Sequence, residues 1–174
     1  MKNTTQIRNR RSGQALVEFA LVGIPALFIS LTLFTVPLAL WRYHTLAEVA
    51  QVTGRYVTAH GYDCTQNGNT CSITLANIAS YVESQAVGMD KSNLNITLTA
   101  AGGDTSCNPV SNCDSNSAVY PSGSADGAAG ADIVVTASYS VANPIYMFWP
   151  GASTIAPSSQ SLTFSGKSRQ RITF

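Results

Sequence analysis

Hydrophobic and polar positions change their period along this chain, and each change marks an element. From Phe19 to Trp41, 23 consecutive residues carry no formal charge. Leu21, Val22, Ile24, Leu27, Phe28, Ile29, Leu31, Leu33, Phe34 and Val36 leave no polar stripe, unlike the half-buried helix of a soluble core. As a helix rising about 1.5 Å per residue, the run reaches about 35 Å and crosses a hydrocarbon core of about 30 Å. A secretory signal peptide has a shorter apolar region, roughly 7–15 residues, before small residues at its cleavage site. This run is longer and ends at Leu40-Trp41, so it predicts a transmembrane helix. Pro25 and Pro37 interrupt it and predict kinks or a loosened turn, which membrane helices tolerate because neighbouring groups re-satisfy the freed carbonyls.

The helical period continues past the membrane. Leu46, Val49, Ala50, Thr53, Tyr56 and Val57 recur at three and four residues and carry the helix to about His60, with Gly61 as its stop. A second helix is predicted over 75–87, with Leu75, Ile78, Ala79, Val82 and Ala86 on one face, Thr74 as cap and Gly88 at its end. Period two takes over at 94–100, where Leu94, Ile96 and Leu98 alternate with Asn95, Thr97 and Thr99. Residues 132–141 are β-rich. Ser161–Phe164 and Ile172–Phe174 read as a closing strand pair, or as one strand bulged at Ser165-Gly166. Residues 101–131 read as a long Gly-, Ser-, Asp- and Asn-rich loop. The fold class expected is α+β: a long N-terminal transmembrane helix entering a small extracytoplasmic domain with a second helix and a three- to four-stranded antiparallel sheet.

Charge orients this arrangement. Only 11% of the 174 residues are charged, against roughly 25% in ordinary soluble domains. Lys2, Arg8, Arg10 and Arg11 crowd the N-terminus, and Lys167, Arg169 and Arg171 the C-terminus. The positive-inside rule keeps the basic N-terminus cytoplasmic and exports residues 42–174. Trp41 and Tyr43 suit the aromatic belt at the far interface. A net charge of +1 offers no broad basic face, so nucleic acid is not an expected partner. The lipid bilayer is.

Glu18 stands at the entrance to the apolar run, where an acid is costly unless it snorkels to the interface or finds a partner. It belongs to the string Arg10-Arg11-Ser12-Gly13-Gln14-Ala15-Leu16-Val17-Glu18-Phe19. A basic leader, a Gly, a Glu five residues on and an apolar helix resemble the processing site of type IV prepilins. The string from Arg11 to Val22, with Pro25 following, is more similar still to TadE-like proteins of tight-adherence (Flp-type) pilus systems. Gln14 replaces the Phe common at the first mature position of major pilins, which favours the TadE type. The resemblance covers about residues 10–57. It implies a minor pilin or pseudopilin of the bacterial inner membrane, cut by a prepilin peptidase between Gly13 and Gln14, with 1–13 as leader, 14–41 as membrane helix and 42–174 periplasmic. It further implies that Glu18 sets subunit register, that the partners are the peptidase, other pilins and pilus assembly proteins, and that the subunit enters a surface pilus serving adhesion. One physical point is independent of the family: a freed amine at Gln14 lies one helical turn from Glu18, on the same face.

Cys64, Cys71, Cys107 and Cys113 all fall in the exported part, where an even count predicts disulfides. Three pairings exist. Cys64–Cys71 and Cys107–Cys113 are favoured because each brackets one polar loop. The rival is a metal site, but the spacings are wider than zinc knuckles use. No catalytic constellation is recognisable, so no enzyme, no cofactor and no small-molecule substrate is expected. Gly166-Lys167-Ser168 ends like a phosphate loop, but Ser161 stands where the first Gly belongs. Ser122-Gly123-Ser124 lacks the context of a nucleophile elbow. His44 and His60 have no ligand neighbours in sequence. Asp104, Asp114, Asp126 and Asp132 read as solvated loop acids, without a calcium-loop pattern. Asn95-Ile96-Thr97 is a sequon inside a predicted strand. Finally, Ile145, Tyr146, Met147, Phe148 and Trp149, bracketed by Pro144 and Pro150, either tuck against the domain or form an apolar patch for the bilayer or a pilus neighbour.

Two functions follow from these observations. The first is the minor pilin just described. The alternative is an unprocessed single-pass membrane protein whose outer domain binds a protein partner.

Overall fold

Helix α1 spans Thr5–Ala59 and its hydrogen-bonded assignment runs through both Pro25 and Pro37. The computed structural model describes residues 5–60, 73–143 and 161–173. The chain divides into two units, Met1–Leu40 and Trp41–Phe174. The first unit is helical throughout its described part, and most of its large apolar side chains from Leu16 to Leu40 are exposed, with Phe28 and Leu31 half-buried. It is the one helix among the described residues long and apolar enough to cross a membrane. Its hydroxyl side chains turn inward onto the helix backbone. Ser30 donates to the Ala26 carbonyl at 2.8 Å and Thr32 to the Ile29 carbonyl at 2.8 Å, so neither hydroxyl is left without an acceptor.

The second unit is an α+β domain. After α1 come α2 (Leu75–Gln85), β1 (Leu94–Ala100), β2 (Gly103–Cys107), a 3₁₀ turn (Val110–Cys113), a short α3 (Ser124–Gly127), β3 (Asp132–Ala142) and β4 (Ser161–Arg171). The four strands form one antiparallel sheet in the order β2-β1-β3-β4. Period two decides which face is buried. Leu94, Ile96 and Leu98 oppose Tyr139, Ala137 and Val135, and with Ile133 these residues form the inner face. The outer face carries Asn95, Thr97, Thr99, Thr136 and Ser138. The inner face packs on Leu46, Val49, Ala50 and Val57 of α1 and on Leu75, Ile78, Ala79 and Val82 of α2, all in one core. Burying each larger aliphatic contributes about 2 kcal/mol.

Two glycines let α1 lie close against β4. A Cβ on Gly166 would fall 2.6 Å from the Leu46 carbonyl oxygen, and one on Gly54 would fall 2.9 Å from Cγ of Gln170. Arg42 stands 6.0 Å over the Tyr139 ring, and Tyr139 pairs with Phe164. Along α1, residues 42, 46 and 54 thus meet β4 at successive levels from 164 to 170. The helix therefore runs parallel to β4. Trp41 lies at the end of the sheet where β1 and β4 begin and β3 finishes.

Helix α2 starts at a capping box. Thr74 accepts from the Asn77 amide at 3.3 Å, and the Asn77 side chain accepts from the Thr74 amide at 3.2 Å. It ends at Gln85, two residues short of the predicted 87, with Ala86 as C-cap. Gly88 sits beyond it at φ +75°, a left-handed turn conformation that favours glycine.

Two expectations need correcting. Residues 101–131 are not one irregular loop, because β2 hydrogen-bonds to β1 as an edge strand. The closing segment is neither a strand pair nor bulged: Ser161–Arg171 is a single strand, paired residue for residue with β3 from Ala142 to Asp132. Ile172 follows that strand, buried, and its amide donates to the Ala131 carbonyl.

Candidate functional site

The N-terminal site is built on α1 alone. Gly13, Gln14 and Glu18 all lie on the described helix and are exposed. Nothing stands within 4 Å of where a Gly13 side chain would begin. The chain at Gly13 is therefore open on the side its Cβ would take. Four residues separate Gln14 from Glu18, one turn along the same helix face. No ion pair or hydrogen bond engages the Glu18 carboxylate among the described residues. Its flanks, Leu16, Val17 and Phe19, are 71%, 66% and 77% exposed, so the acid sits in an apolar surface that no described residue covers.

From Trp41 onward, α1 is part of the second unit and packs within it. Trp41 lies against Gly88, where an added Cβ would fall 2.7 Å from the indole. Tyr139 hydroxyl accepts from the Asp90 amide at 3.3 Å and its ring lies beneath Arg42. Tyr56 of α1 stacks on Tyr81 of α2, ring centroids 4.2 Å apart. His60 adds its ring to Tyr56, and its Nδ1 lies 2.8 Å from the Tyr56 carbonyl oxygen. His44 packs edgewise against Tyr43.

Cys107 and Cys113 form a disulfide, with Cα atoms 5.7 Å apart. It closes the end of β2 over the 3₁₀ turn, and both cysteines are buried in the core. Cys64, Cys71 and the stretch with Tyr146, Met147, Phe148 and Trp149 lie outside the described residues.

The remaining residues singled out in the sequence are scattered. Gly166-Lys167-Ser168 is in the middle of β4, with Gly166 turned to the α1 backbone, so no phosphate-cradling loop exists there. Asp114 pairs with Lys91 at 2.9 Å, and Lys91 also reaches Glu83 at 3.4 Å. That raises the Lys91 ammonium above its ordinary pKa, chiefly through the hydrogen bond to Asp114. Asp132 accepts from Arg169 at 2.6 Å, across the strand pair. Asp126 is buried and accepts from the Gly102 amide. Nearby Tyr120 is buried too, and desolvation, followed by the charges of Asp126 and Asp104, pushes its phenol well above the usual range. Among the described residues no three potential metal ligands converge. Asn95 and Thr97 of the sequon lie on the outer sheet face, with Ile96 buried between them.

Sequence reasoning missed the two close contacts that fix α1, at Gly54 and Gly166. The available signal was a glycine at an inward strand position within a polar run. No protein-family model, curated protein or solved structure matches this chain.

Proposed function

We propose that this chain is a TadE-like minor pilin or pseudopilin of a tight-adherence pilus, made as a membrane-anchored precursor and cut after Gly13. The observation that carries the reading is the placement of Glu18. Among the described residues this carboxylate has no ion pair or hydrogen bond, and it stands on an exposed apolar helix, one turn from the residue that cleavage would expose. A charge in low dielectric needs a partner, and helices packed in register supply one: the amine at Gln14 of the same chain or of a neighbour. The helix thereby gains a reason to assemble, and Glu18 a reason to be there.

The rest of the architecture agrees with this role. A long helix, apolar in its first half and packed on an α+β domain in its second, presents its free face to other helices. The cytoplasmic leader bears Lys2, Arg8, Arg10 and Arg11, and its removal takes the formal side-chain charge from +1 to −3. The domain is then periplasmic, and the disulfide Cys107–Cys113 suits that oxidising compartment.

Intact mass and N-terminal sequencing of the membrane-extracted protein test the reading. A chain beginning at Gln14 is expected, and Gly13→Leu is expected to block the cut. A mature chain that keeps the basic leader overturns the proposal and leaves an unprocessed single-pass anchor.

A further inference from the structure

Exposed apolar side chains of the domain are not spread evenly. Among the described residues from Trp41 onward, the large exposed hydrophobics are Trp41 (44%), Tyr43 (49%), Val87 (67%), Val119 (39%) and Leu162 (40%). Single exposed apolar residues are ordinary on a protein surface. What is not ordinary is their location, since four of these five lie at one end. Trp41 and Tyr43 open the domain's part of α1. Val87 is at the turn between α2 and β1, adjacent to Gly88. Leu162 is at the start of β4, paired with Val141 two residues beyond the Tyr139–Phe164 level that Arg42 covers. Val119 bridges to Thr74, at the opposite end of α2.

That end has a fixed relation to the span. Trp41 closes the charge-free run and is the residue at which the helix leaves the hydrocarbon. Gly88 touches the Trp41 indole, and Val87 is one Cα step, about 3.8 Å, from Gly88. The headgroup layer on each side of a bilayer is several ångströms thick, about 5–8 Å from a total of about 40–45 Å less a core of about 30 Å. With Trp41 at the interface, where indoles concentrate, Val87 is within one headgroup layer of it. The turn's geometry also holds Val87 there: at φ +75°, and with the indole in the way, Gly88 has no room for a side chain.

We infer that the α2–β1 turn, led by Val87, lies in the outer headgroup layer of the membrane that holds α1, and that Leu162 reaches the same layer. The domain then contacts lipid through three of its own elements. The occupant is the bilayer because the apolar end is covalently continuous with the span. A protein partner for the same residues would need to displace lipid already beside Trp41. This inference rests on the membrane-anchored reading of the chain.

Depth quenching on the full chain separates the two. Single Val87→Cys, Leu33→Cys and Asp104→Cys variants are labelled with a nitrobenzoxadiazole dye, with the unmodified chain as blank. They are reconstituted in phosphatidylcholine vesicles with or without bromine on the upper acyl carbons. Leu33 reports the span, and Asp104, on β2 at the far end of the sheet, reports solvent. The expected result is loss of fluorescence in brominated lipid at Leu33→Cys and Val87→Cys, with none at Asp104→Cys. Quenching at Leu33→Cys without quenching at Val87→Cys overturns the inference and leaves the anchor intact. Equal quenching at Val87→Cys and Asp104→Cys overturns it as well, because the domain would have no preferred end. Absence of quenching at Leu33→Cys removes the anchor and the inference together.

Discussion

Gly166 of β4 lies directly on the backbone of Leu46 in α1, so that a Cβ at 166 would fall 2.6 Å from the Leu46 carbonyl oxygen and 2.7 Å from the Ala47 nitrogen. Backbone in a packed helix cannot move aside as a side chain can. Gly166→Ala is therefore expected to separate α1 from the sheet and to cost about 3 kcal/mol, the upper part of the usual overpacking range. Gly54→Ala is the contrasting case. Its nearest obstacle is Cγ of Gln170, at 2.9 Å on a flexible side chain. Alanine also gains about 1 kcal/mol of helix propensity over glycine, which offsets the displacement. The two variants should thus differ by about 2 kcal/mol or more. Urea unfolding of the detergent-solubilised protein, followed by near-ultraviolet circular dichroism, reads the difference, and equal midpoints for the two variants would contradict the packing described.

The Cys107–Cys113 disulfide closes a short loop between β2 and the 3₁₀ turn. Constraining a loop of that size contributes about 2 kcal/mol by removing freedom from the unfolded chain. The Cys107→Ala, Cys113→Ala double variant is expected to unfold at correspondingly lower urea. Because Cys107 opposes Ile96 across β1–β2, the loss should appear first as faster amide exchange along β2. Uniform exchange across all four strands would argue that β2 does not depend on the bridge.

How much of this was readable in advance differs from strand to strand, and for a physical reason. Strand β1 was legible to the residue because Leu94, Ile96 and Leu98 face a core and Asn95, Thr97 and Thr99 do not. Strand β4 faces the same core but was misread as interrupted. After Phe164 its inward positions are Gly166, Ser168 and Gln170, and at Gly166 the α1 backbone approaches too closely for any side chain. The period-two signal vanishes where the packing is tightest. Strand β2, with Asp104, Thr105 and Ser106, is a polar edge and leaves no apolar signal at all. The N-terminal site is the reverse case. Gly13 and Glu18 stand out in the sequence because an acid beside an apolar run is conspicuous, while the fold adds only that the acid has no partner among the described residues.

Across the last strand pair, Arg169 donates to Asp132 at 2.6 Å. That hydrogen bond is the main reason the Asp132 carboxyl lies below its usual 3.8, with the nearby positive charges of Arg169 and Arg171 assisting. A depressed carboxylate contributes stability above its unfolded pKa and loses it as pH falls through the folded value. The pairing should hold at neutral pH and be lost only as pH falls below 3.8 and through the lower folded value. In Arg169→Ala the Asp132 midpoint is expected to move up toward 3.8, measured by a carboxyl-carbon titration in nuclear magnetic resonance. Both side chains are exposed, so the stability of the domain at pH 7 should change little. An unmoved midpoint would mean that the pair does not persist in solution.

Glu18 provides the last and most discriminating prediction, because anchoring and assembly ask opposite things of it. For anchoring alone, a carboxylate near the bilayer is a cost, so Glu18→Ala should insert as well as the native chain or better. The substitution leaves Gly13 and the basic leader unchanged, so cutting should persist. Assembly is different. Once cleavage exposes an amine at Gln14, removing Glu18 strands that charge in an apolar helix surface, where an uncompensated buried charge costs about 3–5 kcal/mol. Partial solvation near the interface reduces the figure, yet about 1.4 kcal/mol already changes an equilibrium tenfold. Membrane levels of Glu18→Ala should therefore match those of the native chain, while its recovery in sheared pili or in crosslinked assembly complexes falls at least tenfold. Glu18→Asp keeps the charge but shortens the reach, and is expected to recover part of the loss. Native incorporation of Glu18→Ala would show that the acid is a bystander at the interface, and the chain would then be better described as a permanent single-pass anchor for its periplasmic domain.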